Sequence, residues 1–278
     1  SLVGSEMCIR DSPSAGRMQS PLMALQVFHE LLVSGSGPLL PDCVLITGKR
    51  PSAGSIFQTA PPMFGYYRLA SAVPQLRVAD VDYNVDQLMD GFRKAAEQKA
   101  AAVVFPELSI TGYSCGDLFF QPRLREAALD GLRRFAEATE GSGTIAVAGL
   151  PFLHEDALYN TAAVIQSGRV LALIPKTVLP NYREFYEKRQ FTSGRELGTG
   201  TKEAKVNGAY IPFGTEIIFQ DAASSFSFGV EICEDLWSVI PPSSGLALQG
   251  ARAIFNPSAG TELTGKACLL YTSDAADE

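Results

Sequence analysis

The stretch AAVVFPELSITGY, residues 101–113, decides how the rest of the chain is read. Ala101 to Phe105 form a short, unbroken apolar run, as a strand buried on both faces does, and the run stops at Pro106 and Glu107. A carboxylate at the end of a buried strand sits where a rigid scaffold presents chemistry. Two later runs repeat the arrangement: LALIPKTVLPNY, residues 171–182, breaks at Lys176, and FSFGVEICEDLW, residues 226–237, breaks at Cys233. An acid, an amine and a thiol thus each follow a strand candidate, where one site can hold all three.

Outward from residue 101 the pattern alternates. Tyr67 to Val73 reads as a strand, and Val85, Leu88, Met89, Phe92 and Ala96 recur at helical spacing through Asn84 to Lys99. Pro122 suits the first turn of a helix whose Leu124, Ala128, Leu132 and Phe135 share a face. Thr144 to Leu150, Tyr159 to Ile165 and Val170 to Ile174 read as strands, the last two joined by a hairpin turn at Gln166-Ser167-Gly168-Arg169. Further strands at Glu216 to Phe219 and Phe226 to Ile232 lead into Cys233. A short helix at Leu246 to Ala251 and a strand at Arg252 to Phe255 follow. Helices flanking a largely buried sheet define an α/β class.

A chain of 278 residues, 46% of them hydrophobic, can bury one sizeable core. A net charge of −7 without a basic stripe argues against a nucleic-acid partner. No apolar window is long enough for a membrane span. Five cysteines, at positions 8, 43, 115, 233 and 268, show no C-x-x-C spacing, so neither a disulfide framework nor a metal site is indicated and the expected compartment is reducing. Residues 1–12 and 268–278 resemble translated sequencing-adapter read-through. Residues 1–62 as a whole lack sustained periodicity and are expected to be a non-native or disordered leader, with one domain over 63–267 and a foreign tail over 268–278.

The three reactive groups have separable uses. A free thiol is mostly protonated at neutral pH, so a nucleophilic cysteine needs a neighbouring base or cation, and Glu107 and Lys176 are the candidates. With only two histidines, His29 in the expected leader and His154 in a polar turn, a histidine-based hydrolase has one usable base and no G-x-S-x-G elbow to pair with it. Gly48-Lys49 lacks the earlier glycine and the following Ser or Thr of a phosphate loop.

The Glu107, Lys176 and Cys233 words together resemble the nitrilase superfamily, the carbon-nitrogen hydrolases. Cys115-Gly116-Asp117-Leu118-Phe119 and the segment from Tyr182 to Arg189 narrow the likeness to the glutaminase domains of glutamine-dependent NAD synthetases. The resemblance implies an α-β-β-α sandwich, here C-terminally incomplete, with two sheets back to back and helices outside. It implies attack by Cys233 on the side-chain amide of glutamine through a thioester, with Glu107 moving the protons and Lys176 and the Glu234 N–H stabilising the oxyanion. Glu187 matches a further glutamate that contacts the lysine; Tyr182, Ser258 and Lys266 match residues implicated in holding glutamine. The implied cofactors are none for this half, with ATP and Mg confined to a synthetase domain absent from the chain. The implied setting is cytoplasmic, and homo-oligomeric at full length. A free-standing amidase acting on another small carboxamide and a non-catalytic fragment are the alternatives.

Overall fold

The computed structural model describes residues 67–260 apart from 199 and 222–225, together with the backbone of two strands nearer the N-terminus. Those two are β1 (Ala24–Val27) and β2 (Val44–Thr47). The remaining elements, in chain order, are β3 (Leu69–Ser71), α1 (Val81–Glu97), β4 (Ala102–Val104), α2 (Pro122–Ala138), β5 (Ile145–His154), β6 (Ala157–Gln166) and β7 (Arg169–Pro175). Then follow α3 (Glu187–Gln190), β8 (Lys202–Val206), β9 (Ala209–Phe213), β10 (Ile217–Gln220), β11 (Ser227–Val230), α4 (Pro242–Leu248) and β12 (Ala253–Asn256).

Two sheets result. The larger has seven strands in the order β3-β4-β5-β6-β7-β9-β8, and the smaller has five in the order β1-β12-β11-β10-β2. Period-two alternation distributes their side chains. Val103, Ala146, Ala148, Leu150, Ala163 and Ile165 turn toward α1 and α2, where they meet Leu88, Phe92, Leu132 and Phe135. Their alternates Ala102, Val104, Ile145, Val147, Ala162 and Val164 turn the other way and pack on Ile217, Phe219, Phe228, Val230 and Phe255 of the smaller sheet. The far face of the smaller sheet carries Ile218 and Ile254, which meet Leu246 of α4. These layers make the expected α-β-β-α sandwich. Among the described residues no helix is long and apolar enough to cross a membrane.

Most strand and helix expectations match within a few residues, and three differ. The helix expected at Leu246 to Ala251 begins earlier, with Pro242 in its first turn, and gives way at Gly250, whose φ of 102° is open to glycine. A hairpin of β8 and β9 was not anticipated. Within the stretch read as a leader, β1 pairs antiparallel with β12 and β2 parallel with β10, at the two edges of the smaller sheet. The rest of residues 1–62, and the tail at 268–278, lie outside the described residues.

Candidate active site

Glu107 is placed by a turn that the larger sheet clamps. After β4 the chain turns at Pro106, and Leu108 takes a φ of 51°. The turn is pinned to β5, where the Ile110 N–H donates to the Gly149 carbonyl at 3.0 Å and the Gly149 N–H to Ser109 Oγ at 3.2 Å. Residue 149 has to be glycine, because a Cβ there would stand 2.1 Å from Leu108 N and 2.9 Å from the Glu107 carbonyl carbon. The carboxylate itself is buried, 1% exposed.

Lys176 leaves β7 directly opposite. Its ammonium is fully buried and donates at 2.6 Å both to Glu107 Oε1 and to Glu187 Oε1. A buried cation has to be paired, and this one bridges two carboxylates. Burial alone would lower the Lys176 pKa, but the charges of Glu107, Cys233 and Glu187 outweigh it and hold the lysine well above its ordinary value. Glu187, the first residue of α3, is driven the other way. Burial, reinforced by Glu107 and opposed by Lys176, pushes its carboxyl up to about 7.

Two more side chains close this cluster. Asn160 on β6 is fully buried and donates through Nδ2 to Glu107 Oε1 at 2.7 Å, while its main-chain carbonyl accepts the main-chain N–H of Lys176 at 2.9 Å. Tyr113 donates its hydroxyl to Glu187 Oε1 at 2.8 Å, and burial raises its pKa further above the phenol range.

Cys233 follows β11 at the start of a short 3-10 turn, Cys233–Trp237. Its φ of 49° lies in the left-handed region, unusual for a side-chain-bearing residue. Ser258 Oγ donates to Cys233 Sγ at 3.2 Å, and the next N–H along, that of Ala259, donates to Glu107 Oε2 at 3.1 Å. Two consecutive residues therefore touch the thiol and the acid. Loss of water around the sulfur, reinforced by Glu107 and opposed by Lys176 and Ser258, pushes the thiol up to about 12. The resting group is thus the thiol, and its proton has to leave when it attacks.

Asp235 joins the second and third runs. Its Oδ1 accepts from Thr177 N at 2.9 Å, Thr177 Oγ1 at 2.7 Å and Val178 N at 2.7 Å, and its Oδ2 accepts from Ile232 N at 2.9 Å. One buried carboxylate thus ties the residues just after Lys176 to the residue just before Cys233.

Of the eight residues singled out from sequence, Glu107, Lys176 and Glu187 are in direct contact. Cys233 is linked to them through Ser258 and Ala259. Tyr182 is half-exposed, with its hydroxyl 2.9 and 3.0 Å from the two oxygens of the Glu234 carboxylate. Burial and that carboxylate push the phenol up to about 12. Ser258 lies against the sulfur, and Lys266 lies outside the described residues. Phe185 packs edge-on between Tyr113 and Tyr182, with centroids 6.3 and 5.7 Å away. His154, read as a surface turn residue, instead ends β5 with its ring 4.8 Å from that of Phe213. A recess of about 190 Å³ opens beside Glu107, lined among others by Pro106, Tyr113, Ala259 and Gly260. Sequence reading missed Asn160, Tyr113 as a partner of Glu187, Asp235 and the Ala259 N–H. Tyr113 lies inside the quoted Glu107 run and Asp235 inside the quoted Cys233 run, whereas Asn160 and the Ala259 N–H carried no local signal.

A lysine held between two buried glutamates, with one loop touching both a cysteine and one of those acids, is the arrangement the α-β-β-α fold presents here. The chain belongs to the carbon-nitrogen hydrolase family, whose profile matches residues 68–274 and so runs past Lys266. It is 38% identical over 207 residues to the glutamine-dependent NAD(+) synthetase of Mycobacterium tuberculosis, covering 73% of this chain and 30% of that protein. The corresponding enzyme of Thermotoga maritima is 32% identical over 205 residues, covering 73% and 32%. The chain therefore spans about a third of the length of these relatives. Among solved structures, a glutamine-dependent NAD(+) synthetase from Cytophaga hutchinsonii superposes with a TM-score of 0.64 at 26% identity, over 74% of this chain and 33% of that one. A nitrilase-superfamily amidase from Nesterenkonia, at 21% identity and a TM-score of 0.56 over 78% of this chain and 74% of that one, shares the fold.

Proposed function

We propose that this site hydrolyses the side-chain amide of glutamine and supplies the ammonia to a synthetase domain that amidates nicotinic acid adenine dinucleotide. The observation that carries the reading is the buried Glu107–Lys176–Glu187 cluster, joined to Cys233 through Ser258 and Ala259, in a chain similar to glutamine-dependent NAD(+) synthetases. In the proposed reaction Glu107 takes the thiol proton as Cys233 Sγ bonds to the amide carbon. The developing oxyanion is met by Lys176 Nζ and the Glu234 N–H, preorganised donors of a kind worth about 3–4 kcal/mol each. Glu107 then returns the proton to the departing nitrogen, the C–N bond breaks, and ammonia leaves a thioester. A water deprotonated by Glu107 attacks the thioester, releasing glutamate and restoring the thiol.

Glu187 Oε1 holds the ammonium beside Glu107 Oε1, and Tyr182, Ser258 and Lys266 are proposed to line the bound glutamine. This half is proposed to use no cofactor, with ATP and Mg acting in the synthetase domain, and the full-length protein to be a cytoplasmic homo-oligomer. The test is made in a protein carrying both domains. Cys233→Ala is expected to abolish NAD formation from glutamine while sparing formation from ammonium salts. Undiminished use of glutamine by that variant would remove Cys233 from the mechanism, and no use of glutamine by the parent would overturn the reading.

A further inference from the structure

The conformation of Cys233 has its own support. β11 and β12 run parallel, in the register Val230↔Phe255, and the ladder continues beyond both strands. The Glu231 N–H donates to the Phe255 carbonyl at 3.1 Å and the Cys233 N–H to the Pro257 carbonyl at 3.0 Å. A parallel ladder alternates such bonds with returns from the other strand. Here the returns would come from the N–H of residue 257 to the Glu231 carbonyl and from that of residue 259 to the Cys233 carbonyl. Neither is made in that way: Pro257 has no N–H, and the Ala259 N–H is turned to Glu107.

The side chain of Asn256 takes over at Cys233. Its Nδ2 donates to the Cys233 carbonyl at 3.3 Å and its Oδ1 accepts the Cys233 N–H at 3.0 Å. The amide orientation follows from chemistry: the Cys233 carbonyl needs a donor, which sets Nδ2 there, and Oδ1 then shares the Cys233 N–H with the Pro257 carbonyl. Asn256 is 2% exposed, so water cannot easily replace it. One amide therefore reaches both backbone groups of a residue at φ 49°, holding the carbonyl by itself and the N–H jointly with the Pro257 carbonyl. We propose that Asn256 is a positioning residue that clasps the backbone of Cys233 in its left-handed conformation and so delivers the thiol to Ser258, Lys176 and Glu107. This rests on the reading of Cys233 as the nucleophile of amide hydrolysis.

The experiment compares the parent chain with Asn256→Ala in two arms. One follows carbamidomethylation of Cys233 by iodoacetamide at neutral pH, resolved from the other cysteines by peptide mass spectrometry. The other measures kcat and KM for ammonia release from glutamine. Loss of the clasp is expected to slow labelling of Cys233 by about tenfold or more and to lower kcat by a similar factor, with KM within about threefold, because misplacement of the reacting atom costs rate more than binding. General loosening of the fold would do the opposite to labelling, since it exposes the thiol. Labelling at the parent rate or faster in a folded variant would overturn the proposal. Asn256→Ser, whose hydroxyl is too short to span both groups, carries the same expectation if Asn256→Ala does not fold. A parent that releases no ammonia from glutamine would sink the functional reading alone, and the labelling arm would still decide the clasp.

Discussion

Replacing Asp235 by asparagine tests how the Lys176 and Cys233 runs are held together. All four groups around this carboxylate are donors: Thr177 N–H, Thr177 Oγ1, Val178 N–H and Ile232 N–H. An asparagine has one oxygen. Its best orientation keeps that oxygen at the three-donor side and turns the amide nitrogen toward the Ile232 N–H, leaving two donors facing each other in a buried site. An unsatisfied buried donor costs about 1–3 kcal/mol, and each of the three retained bonds weakens by about 1 kcal/mol on losing its charged acceptor. The substitution also removes the cost of burying a charge, which here raises the Asp235 carboxyl above its ordinary value and offsets part of the loss. A net of about 1–3 kcal/mol follows, and at about 2–4 °C per kcal/mol for a domain of this size the Tm should fall by about 2–12 °C. The assay is thermal unfolding together with ammonia release. Because the broken bonds flank Lys176 and Cys233, kcat should fall with the Tm while KM changes little. A folded Asp235→Asn protein with the parent Tm and kcat would refute the reasoning.

Three further outcomes follow from the same geometry. Gly149→Ala, whose new Cβ would stand 2.1 Å from Leu108 N, should shift the Glu107 turn, destabilise by about 1–3 kcal/mol in unfolding measurements and lower kcat by up to about a hundredfold. The folded pKa of Glu187, about 7, lies above the ordinary 4.5. The native state therefore holds the extra proton between those values, and stability falls as pH rises through that window, with the loss complete above the folded pKa. Glu187→Gln should flatten that part of the Tm-versus-pH curve, and an unchanged slope would count against the assignment. Lys176→Met leaves the buried Glu107 and Glu187 charges unpaired and should cost about 3–5 kcal/mol by denaturant titration, along with loss of activity; a variant as stable as the parent would contradict the pairing.

What could be read from sequence was whatever local period or a contiguous word encodes. β4, α1, α2 and the hairpin of β6 and β7 each carry a complete local pattern, and Glu107, Lys176 and Cys233 each follow a readable strand. The hairpin of β8 and β9 was also encoded: Asn207-Gly208, with φ of 51° and 83°, is a two-residue turn signature flanked by buried Ala204, Val206, Ile211 and Phe213 at alternate positions. Lys202, Glu203 and Lys205 mask the alternation of the first strand. β1 and β2 are different. Four-residue strands at sheet edges are too short to show a period, and their partners in β12 and β10 are distant in sequence. Asn160 and Asn256 were out of reach for a related reason: each is a polar residue in an apolar strand whose role lies in a contact 53 or 23 residues away. Asp235 has a local bond from the Ile232 N–H, but its tie to Thr177 spans 58 residues. Burial of a polar side chain is informative, but only a fold reveals it.

The arrangement of charge favours the thiol form of Cys233, the proposed nucleophile. Lys176 is shared by two carboxylates, so the cluster of Glu107, Lys176 and Glu187 already carries a surplus negative charge whenever both acids are ionised, and Glu187 relieves it by titrating near neutrality. A thiolate at Cys233 would add a second unit of negative charge beside the first, at a partly buried residue where water screens it little. That is why the thiol is pushed up to about 12 although a lysine and a serine hydroxyl favour its anion. In the proposed reaction the proton of Cys233 passes to Glu107, so that the negative charge moves from acid to sulfur and the total stays constant. As Sγ bonds to the amide carbon, the charge passes on to the substrate oxygen, and in the proposed reaction that oxygen is met by Lys176. On this argument proton transfer and attack belong to one step. A solvent deuterium isotope effect on acylation should therefore be clearly above unity, and its absence in a step shown to be rate-limiting would mean that the thiolate forms beforehand, against the charge balance described.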